Sequence, residues 1–382
     1  MVSPELEVNN EVLRWAREST GYSIEDLAKK VGLSINKLKE WEIKTSKIRY
    51  STITKLAKVL VRPTTALLLN KPPLESKLPE YFRRAGAKGA LQPELRIAIR
   101  KARHLQHLSN ELEISTSMGA KVALESASLS DNYEIIAERE RDNLGIILED
   151  QLKWKNPRKA LNVFRTAIEK KNIFVFQMEM PPDLAQGFSL TDGASLAIVL
   201  NSKDIPERRV FTLFHEYAHL LLGKESICVD IDAPTDNQTE QWCDNFAGAL
   251  LIPKKALLGK VPANEMTYKE IITLAKSFSV SKYMTLVRLK VTDLISNKNY
   301  LELAGLFDKE RIKTSEITKK EKIGKNVMGQ PQYRRCISEK GEKFISLVLE
   351  NMRENNITTA KALDFLSIRL DNLEKVATAV KR

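Results

Sequence analysis

Hydrophobic residues recur at helical spacing through the first seventy positions of the chain. Ser23-Ile24-Glu25-Asp26 resembles a capping box, a hydroxyl N-cap with a carboxylate three residues on. Leu27, Ala28 and Val31 then return every three or four residues, and Gly32 stands where a left-handed turn would end the helix. Ser34 can cap a second helix whose Leu38 and Trp41 turn inward, and a further helix follows Ser51 with Ile53, Leu56, Ala57 and Leu60 on one face. Residues 1 to about 70 therefore read as short helices. Pro72, Pro73 and Pro79 among polar residues mark a linker. A basic helical stretch follows, with Arg96, Arg100, Lys101 and Arg103, and is read as a solvated helix face.

From about residue 160 the pattern changes. Ala160 to Lys171 is helical, Ile173 to Phe176 is a β-type run, and Gly187–Ser189 and Ser195–Asn201 read as two strands around a turn at Asp192-Gly193. Pro206 precedes a long helix from about Glu207 to Leu222, ended by Gly223; another runs from about Thr239 to Leu251 and stops at Pro253. The remainder reads as helical, with basic loops around Lys319 to Lys325 and a final pair of helices up to Arg382. The expected fold class is α+β, predominantly α. It comprises a helix-turn-helix bundle (1–70), a linker and basic helical segment (71–130), a domain with a small β-sheet (131–305) and a helical C-terminal segment (306–382).

A length of 382 residues accommodates two or three domains, and a hydrophobic fraction of 43% can fill real cores. No apolar run approaches the roughly 18–20 residues of a membrane helix, and the polar start, Met1 to Asn10, is unlike a signal peptide. Cys228, Cys243 and Cys336 are odd in number and far apart, which excludes a disulfide framework and implies a reducing, cytoplasmic setting. A formal charge of +12 suits a polyanionic partner, and equally a lysine-rich soluble surface.

The most specific chemistry lies in His215-Glu216-Tyr217-Ala218-His219. Residues four apart on a helix lie about 40° apart around its axis, so two imidazoles can aim at one metal ion, while Glu216 can reach a water on that metal. Phe214, Ala218, Leu221 and Leu222 form an apolar stripe that can bury the helix. A catalytic zinc needs a third protein ligand and an open fourth position. Glu240 is well placed at the start of the next helix, and Asp244, one turn on, can accept a hydrogen bond from a ligand histidine and fix its tautomer. Glu225, Asp230, Asp232 and Asp236 are alternative third ligands in a polar loop. The bland alternative is a surface histidine pair on an ordinary helix. The metal would supply an activated water and polarise a carbonyl, and Glu216 would move the proton to the leaving amine. No residue is identified as the donor for the tetrahedral oxyanion. His104 and His107 belong to a separate helical stretch, as structural or exposed residues, and Tyr217 is assigned to packing.

In the N-terminal region a helix from Ser23, Gly32 in the turn and a second helix from Ser34 fit a helix-turn-helix, whose second helix enters the major groove. Asn36 and Lys37 can read adenine and guanine edges, Lys44, Lys47 and Arg49 can grip phosphates, and Ser34 at the start of the same helix is counted with them as a DNA contact. Residues 1 to 70 hold twelve basic and eight acidic side chains. The alternative is a small helical protein-interaction domain.

Residues from about 130 to 305 resemble the ImmA/IrrE family of zinc metallopeptidases. The resemblance rests on Arg209-Val210-Phe211-Thr212-Leu213-Phe214 running into the His-Glu-Tyr-Ala-His helix, on Glu240-Gln241-Trp242-Cys243-Asp244-Asn245-Phe246-Ala247, and on Leu250-Leu251-Ile252-Pro253. Ile252 replaces the usual Met and Cys243 the usual Ala. The resemblance implies that His215, His219 and Glu240 are metal ligands, that Glu216 is the base, and that Asn201 is structural. It implies zinc, or another divalent metal in its place. Residues 9 to 69 resemble a Cro/repressor-type helix-turn-helix, which usually has a glycine two residues after the Trp-Glu pair; here Trp41-Glu42 is followed by Ile43-Lys44. The order of the parts resembles a longer subgroup of the family.

Family members cleave a partner regulator such as a DNA-bound repressor, and some act in toxin–antitoxin pairs. The resemblance thus implies a regulatory endopeptidase with DNA and a repressor or antitoxin as partners, no membrane, and a second copy of the chain as a further candidate partner. The competing reading is a DNA-binding regulator or antitoxin whose zinc fold cleaves nothing, with a general peptidase as a third.

Overall fold

The computed structural model describes residues 3–73, 92–116, 124–191, 195–223, 226–228, 238–261, 265–321 and 330–380, with backbone alone over 226–228 and 311–321. Pro79, the Asp192-Gly193 turn, the alternative ligands Glu225, Asp230, Asp232 and Asp236, and the basic stretch Lys322–Lys325 lie outside the described residues. The architecture is α+β and predominantly α. The chain divides into two compact units, Met1–Lys101 and Ala102–Arg382. No helix among the described residues is long and apolar enough to cross a membrane.

The first unit holds α1 (Asn10–Thr20), α2 (Ile24–Val31), α3 (Ile35–Ile43) and α4 (Tyr50–Leu60). Each of the first three is started by a polar side chain: Asn9 accepts from Glu11 and Val12 N–H, Ser23 from Asp26, and Ser34 from Lys37. Asp26, too short for a full capping box, accepts a hydrogen bond from the Ser23 hydroxyl at 2.8 Å. Gly32 has φ +78°, the left-handed turn that separates α2 from α3. Leu13, Leu27, Leu38, Ile53, Leu56 and Leu60 close a common core. Beside it Arg17 grips Glu42 through two bonds of 2.7 and 2.8 Å.

Two features depart from the expected short helices. A two-stranded antiparallel sheet joins β1 (Glu5–Val8) to β2 (Ser46–Arg49), with Leu6 opposite Ile48. Each strand has only four residues, too few for alternation to stand out, and only the fold brings them together. β2 also explains the missing glycine. Lys44 ends α3 with extended backbone, φ −133°, so the chain runs straight towards β2 and needs no left-handed residue there. The basic face that begins α5 (Pro93–Ser115) is only partly solvated. Arg100 donates to the carbonyls of Leu60 and Val61, both at 2.8 Å, and so caps the C-terminus of α4.

In the second unit, α6 (Tyr133–Asn143), α7 (Leu148–Trp154) and α8 (Pro157–Glu169) precede a four-stranded sheet. Its strands are β3 (Phe174–Met178), β4 (Gly187–Leu190), β5 (Ala197–Asn201) and β6 (Ser226–Cys228), in the order β3-β5-β4-β6. β3 and β5 are parallel, and β4 runs antiparallel to both its neighbours. Alternation gives the sheet two buried faces. Val175, Ile198 and Leu200 join the core of Phe164, Leu213 and Phe214, carried by α8 and by α9 (Pro206–Leu221). On the other face Phe176 meets Phe344 edge-on, ring centroids 5.8 Å apart.

Phe344 belongs to the C-terminal helices, α15 (Gln332–Lys340), α16 (Glu342–Arg353), α17 (Thr359–Leu366) and α18 (Leu373–Val380). They are docked by polar contacts as well. Buried Arg165 of α8 pairs with Glu169 at 3.1 Å and donates to the carbonyls of Ser338 (2.6 Å) and Val175. Between these units of structure run α10 (Gln238–Leu251), α11 (Lys254–Leu257), α12 (Tyr268–Phe278), α13 (Lys282–Val291) and α14 (Asn297–Glu321). The boundary expected at residue 305 falls inside α14, which also carries Lys319 to Glu321 as helix rather than loop.

Candidate metal centre

The loop into α9 is fixed by Asn201. Its amide donates to the carbonyls of Met180 (3.0 Å) and Ala185 (2.9 Å) and accepts from the N–H groups of Met180 and Lys203. Pro206 then starts α9 at a position where a missing N–H costs nothing. Every residue from Val210 to Leu221 is buried. Tyr217 faces away from the metal-type cluster and donates to buried Glu140 at 2.7 Å, in keeping with a packing role.

α10 packs along α9 and brings Glu240 in its first turn. Its far end is held by three buried side chains. Arg141 donates to the Leu250 carbonyl (2.6 Å), Gln151 to Leu251 (2.9 Å) and Arg288 to Ile252 (2.9 Å). These donors satisfy the carbonyls that a helix leaves unpaired at its C-terminus, and the two guanidinium groups face the negative end of its dipole. Arg288 is itself locked by a two-pronged pair with Glu134 at 2.6 and 2.7 Å.

At the near end, three candidate donors converge. His215 Nε2 lies 3.1 Å from His219 Nε2 and 3.1 Å from Glu240 Oε2, and His219 Nε2 lies 3.5 Å from Glu240 Oε1. Ligand bonds of roughly 2.0–2.1 Å arranged as a tetrahedron place their donor atoms about 3.3 Å apart; the two imidazole nitrogens stand at this spacing, and each faces one oxygen of the Glu240 carboxylate at a similar distance. The donor set, two imidazoles and a carboxylate, also suits zinc with a fourth position open. Asp244 Oδ1 stands 2.8 Å from His215 Nδ1, which favours a proton on Nδ1 and turns Nε2 towards His219 and Glu240.

The charge balance agrees with this fit. Burial works against a charged His215, yet its bonds to Asp244 and Glu240, with Glu216 nearby, lift the imidazole to about 10. Burial likewise opposes the charge on Glu240, but hydrogen bonds from His215 and His219 hold its carboxyl well below the usual range. The His215 shift reports the carboxylates around a buried imidazole, and the Glu240 shift reports the imidazoles that donate to it; together they mark one tightly coupled cluster. Glu216 itself is fully buried, beside the first imidazole. His104 and His107 are exposed on α5, and His107 pairs with Glu111.

The residues suggested for DNA contact sit differently. Asn36, Lys37, Lys44, Lys47 and Arg49 are all exposed, and Ser34 is engaged as the cap of α3. Lys37 Nζ lies 5.4 Å over the Trp41 ring, Lys44 pairs with Glu40 at 2.9 Å, and Arg49 stands 3.9 Å from Glu5. Helical spacing also puts Lys39, Glu40 and Ile43 on the face of Asn36, and all three are exposed. The sequence reading passed over these three, although the spacing of positions 36, 40 and 43 was the available signal. It also passed over Arg141, Gln151 and Arg288, for which linear spacing carries no signal.

Compared with known families, residues 168–290 match the IrrE N-terminal-like domain, a peptidase family model, and residues 13–65 match the model described as helix-turn-helix. The two matches bear out both resemblances over these spans. α9 and α10, with the whole donor triangle, lie inside the first, and α2 and α3 lie inside the second. No curated protein matches the chain.

Proposed function

We propose that the chain is a regulatory zinc endopeptidase that cuts a specific protein partner, a repressor or antitoxin, in the cytoplasm, with the helix-turn-helix unit addressing it to DNA. The coarse architecture, a DNA-binding module joined to a peptidase-like domain, fits the two family matches. The observation that carries the finer reading is the triangle of His215, His219 and Glu240, with Asp244 behind one imidazole and Glu216 beside it.

Bound zinc supplies Lewis acidity and an activated water. The chain's own residues do the rest. His215 and His219 offer Nε2 lone pairs from one helical face, and Glu240 brings the third donor from α10. Asp244 holds His215 in the tautomer that presents Nε2. Glu216 accepts a proton during attack on the peptide carbonyl and returns it to the leaving amine. A non-catalytic regulator has no need of a general base at this position, which favours the enzyme reading over its competitor.

The test is direct. The zinc-loaded full chain is incubated with the regulator encoded beside it, with and without a chelator, and in parallel as Glu216→Gln. The proposal expects one defined cut that both the chelator and the substitution abolish, while Glu216→Gln still binds zinc. A partner left intact by the unchanged protein, with DNA binding preserved, favours the non-catalytic regulator.

A further inference from the structure

We propose that Gly187 is a positioning residue for Glu216: its missing side chain lets β4 lie directly against the stem of the base, and this close approach fixes where the carboxylate points. The inference rests on the metallopeptidase reading above.

Gly187 opens β4 and pairs with Leu200 of β5 on one side and with Cys228 of β6 on the other. A Cβ added there would stand 2.5 Å from Thr212 Cγ2, 2.9 Å from the Val199 carbonyl oxygen and 3.5 Å from Glu216 Cγ. Carbon atoms in good contact sit about 3.5–4.0 Å apart, so the first two approaches are impossible and the third is ordinary packing. The φ of Gly187 lies outside the left-handed region, so the glycine is there for space and not for backbone freedom.

Thr212 and Glu216 are one helical turn apart on α9 and meet the same strand. Neither obstacle yields easily. Thr212 is fully buried with its hydroxyl bonded to the Arg208 carbonyl at 3.1 Å, and the Val199 oxygen belongs to the sheet backbone. A side chain at position 187 therefore forces β4 and α9 apart at the level of Glu216. Among the described residues His215 and His219 take their partners from α10 and from each other and not from β4, so the three donors keep their spacing while Glu216 loses its backing.

The experiment uses the zinc-loaded full chain and acetohydroxamate, a small zinc chelator that can donate a hydrogen bond to a neighbouring carboxylate. Gly187→Ala is expected to bind zinc, in chelator competition, within about twofold of the unchanged protein. It is expected to bind acetohydroxamate at least about tenfold more weakly, the scale of losing an oriented partner at a metal site. Thr212→Ser, which deletes Cγ2, binds both as the unchanged protein does, and Gly187→Ala combined with Thr212→Ser regains part of the acetohydroxamate affinity, because the tighter of the two obstacles is gone while the Val199 oxygen stays.

The proposal is overturned if Gly187→Ala keeps full acetohydroxamate affinity, if it loses zinc and acetohydroxamate in parallel, or if Thr212→Ser rescues nothing. If Gly187→Ala alone does not fold, recovery of folding and acetohydroxamate binding in the double variant supports it, and failure of the double variant overturns it. An unchanged protein that takes up no zinc defeats the metallopeptidase reading itself, and this inference with it.

Discussion

On α9 and α10, five ionisable side chains are packed into one another; on the outer face of α3, Lys37, Lys39 and Glu40 fan into solvent. His215, Glu216 and His219 are each at most 2% exposed, and His215 has carboxylates on both ring nitrogens. Asn36, Lys37 and Lys44 are exposed and tied, where at all, to neighbours on their own helix. The first arrangement concentrates desolvated polar groups that could hold a metal ion, and its donors are already gathered at one point. The second keeps its donors hydrated and becomes specific only against a partner's surface. Fixed geometry at the metal-type cluster is also supported from a distance, through the grip of Arg141, Gln151 and Arg288 on the far end of α10. α3 is likewise held at its end, where Arg14 and Asn10 donate to the carbonyls of Glu42 and Ile43 and Arg17 grips the Glu42 carboxylate, but its exposed side chains are not braced in this way.

The largest effect that separates the two regions is expected from the base. Glu216→Gln should lower partner cleavage by about 10²–10⁴-fold in single-turnover assays while leaving DNA affinity unchanged. Equal losses in both assays would mean that the two regions do not act separately. Next in size is the buried cation that docks the C-terminal helices. Arg165→Met leaves Glu169 buried without its counter-charge, and urea unfolding should show a loss of about 3–5 kcal/mol. A stability within error of the unchanged protein would show that this pair is dispensable.

A smaller change belongs behind the triangle. Asp244→Ala should weaken zinc binding by about 10–100-fold in chelator competition, because His215 then chooses its tautomer freely. Unaltered zinc affinity would leave Asp244 without an orienting role. The smallest effect is on the exposed side. Lys47→Ala should weaken binding almost equally across DNA sequences and reduce the slope of log affinity against log salt by about 1. A change in sequence preference instead would move Lys47 from the phosphates to the bases.

Legibility in the sequence follows the same division. The His-Glu-x-x-His spacing, Glu240 and Asp244 are on rigid helices, where a separation in number translates into a direction in space, and all of them meet where helical geometry puts them. The strands β3, β4 and β5 were legible because their alternation or apolar runs are long enough to read. β1 and β2 were not, since four-residue strands 38 positions apart along the chain (Val8 to Ser46 at the nearest) leave no local trace of their pairing. Arg100 reads as one more surface cation until the carbonyls of Leu60 and Val61 appear opposite it. Gly187 is a glycine in a strand run, a sign of close approach, but the partner in that approach is Thr212, and only the packed sheet names it.

The account stands most directly on the zinc content of the purified full chain, measured by elemental analysis for the unchanged protein and for His219→Ala and Glu240→Ala. It predicts one zinc per chain in the first and a loss of stoichiometric metal in both variants, each with the fold retained by circular dichroism. Metal that stays at one per chain in either variant, or that is absent from the unchanged protein under zinc-replete conditions, would contradict it.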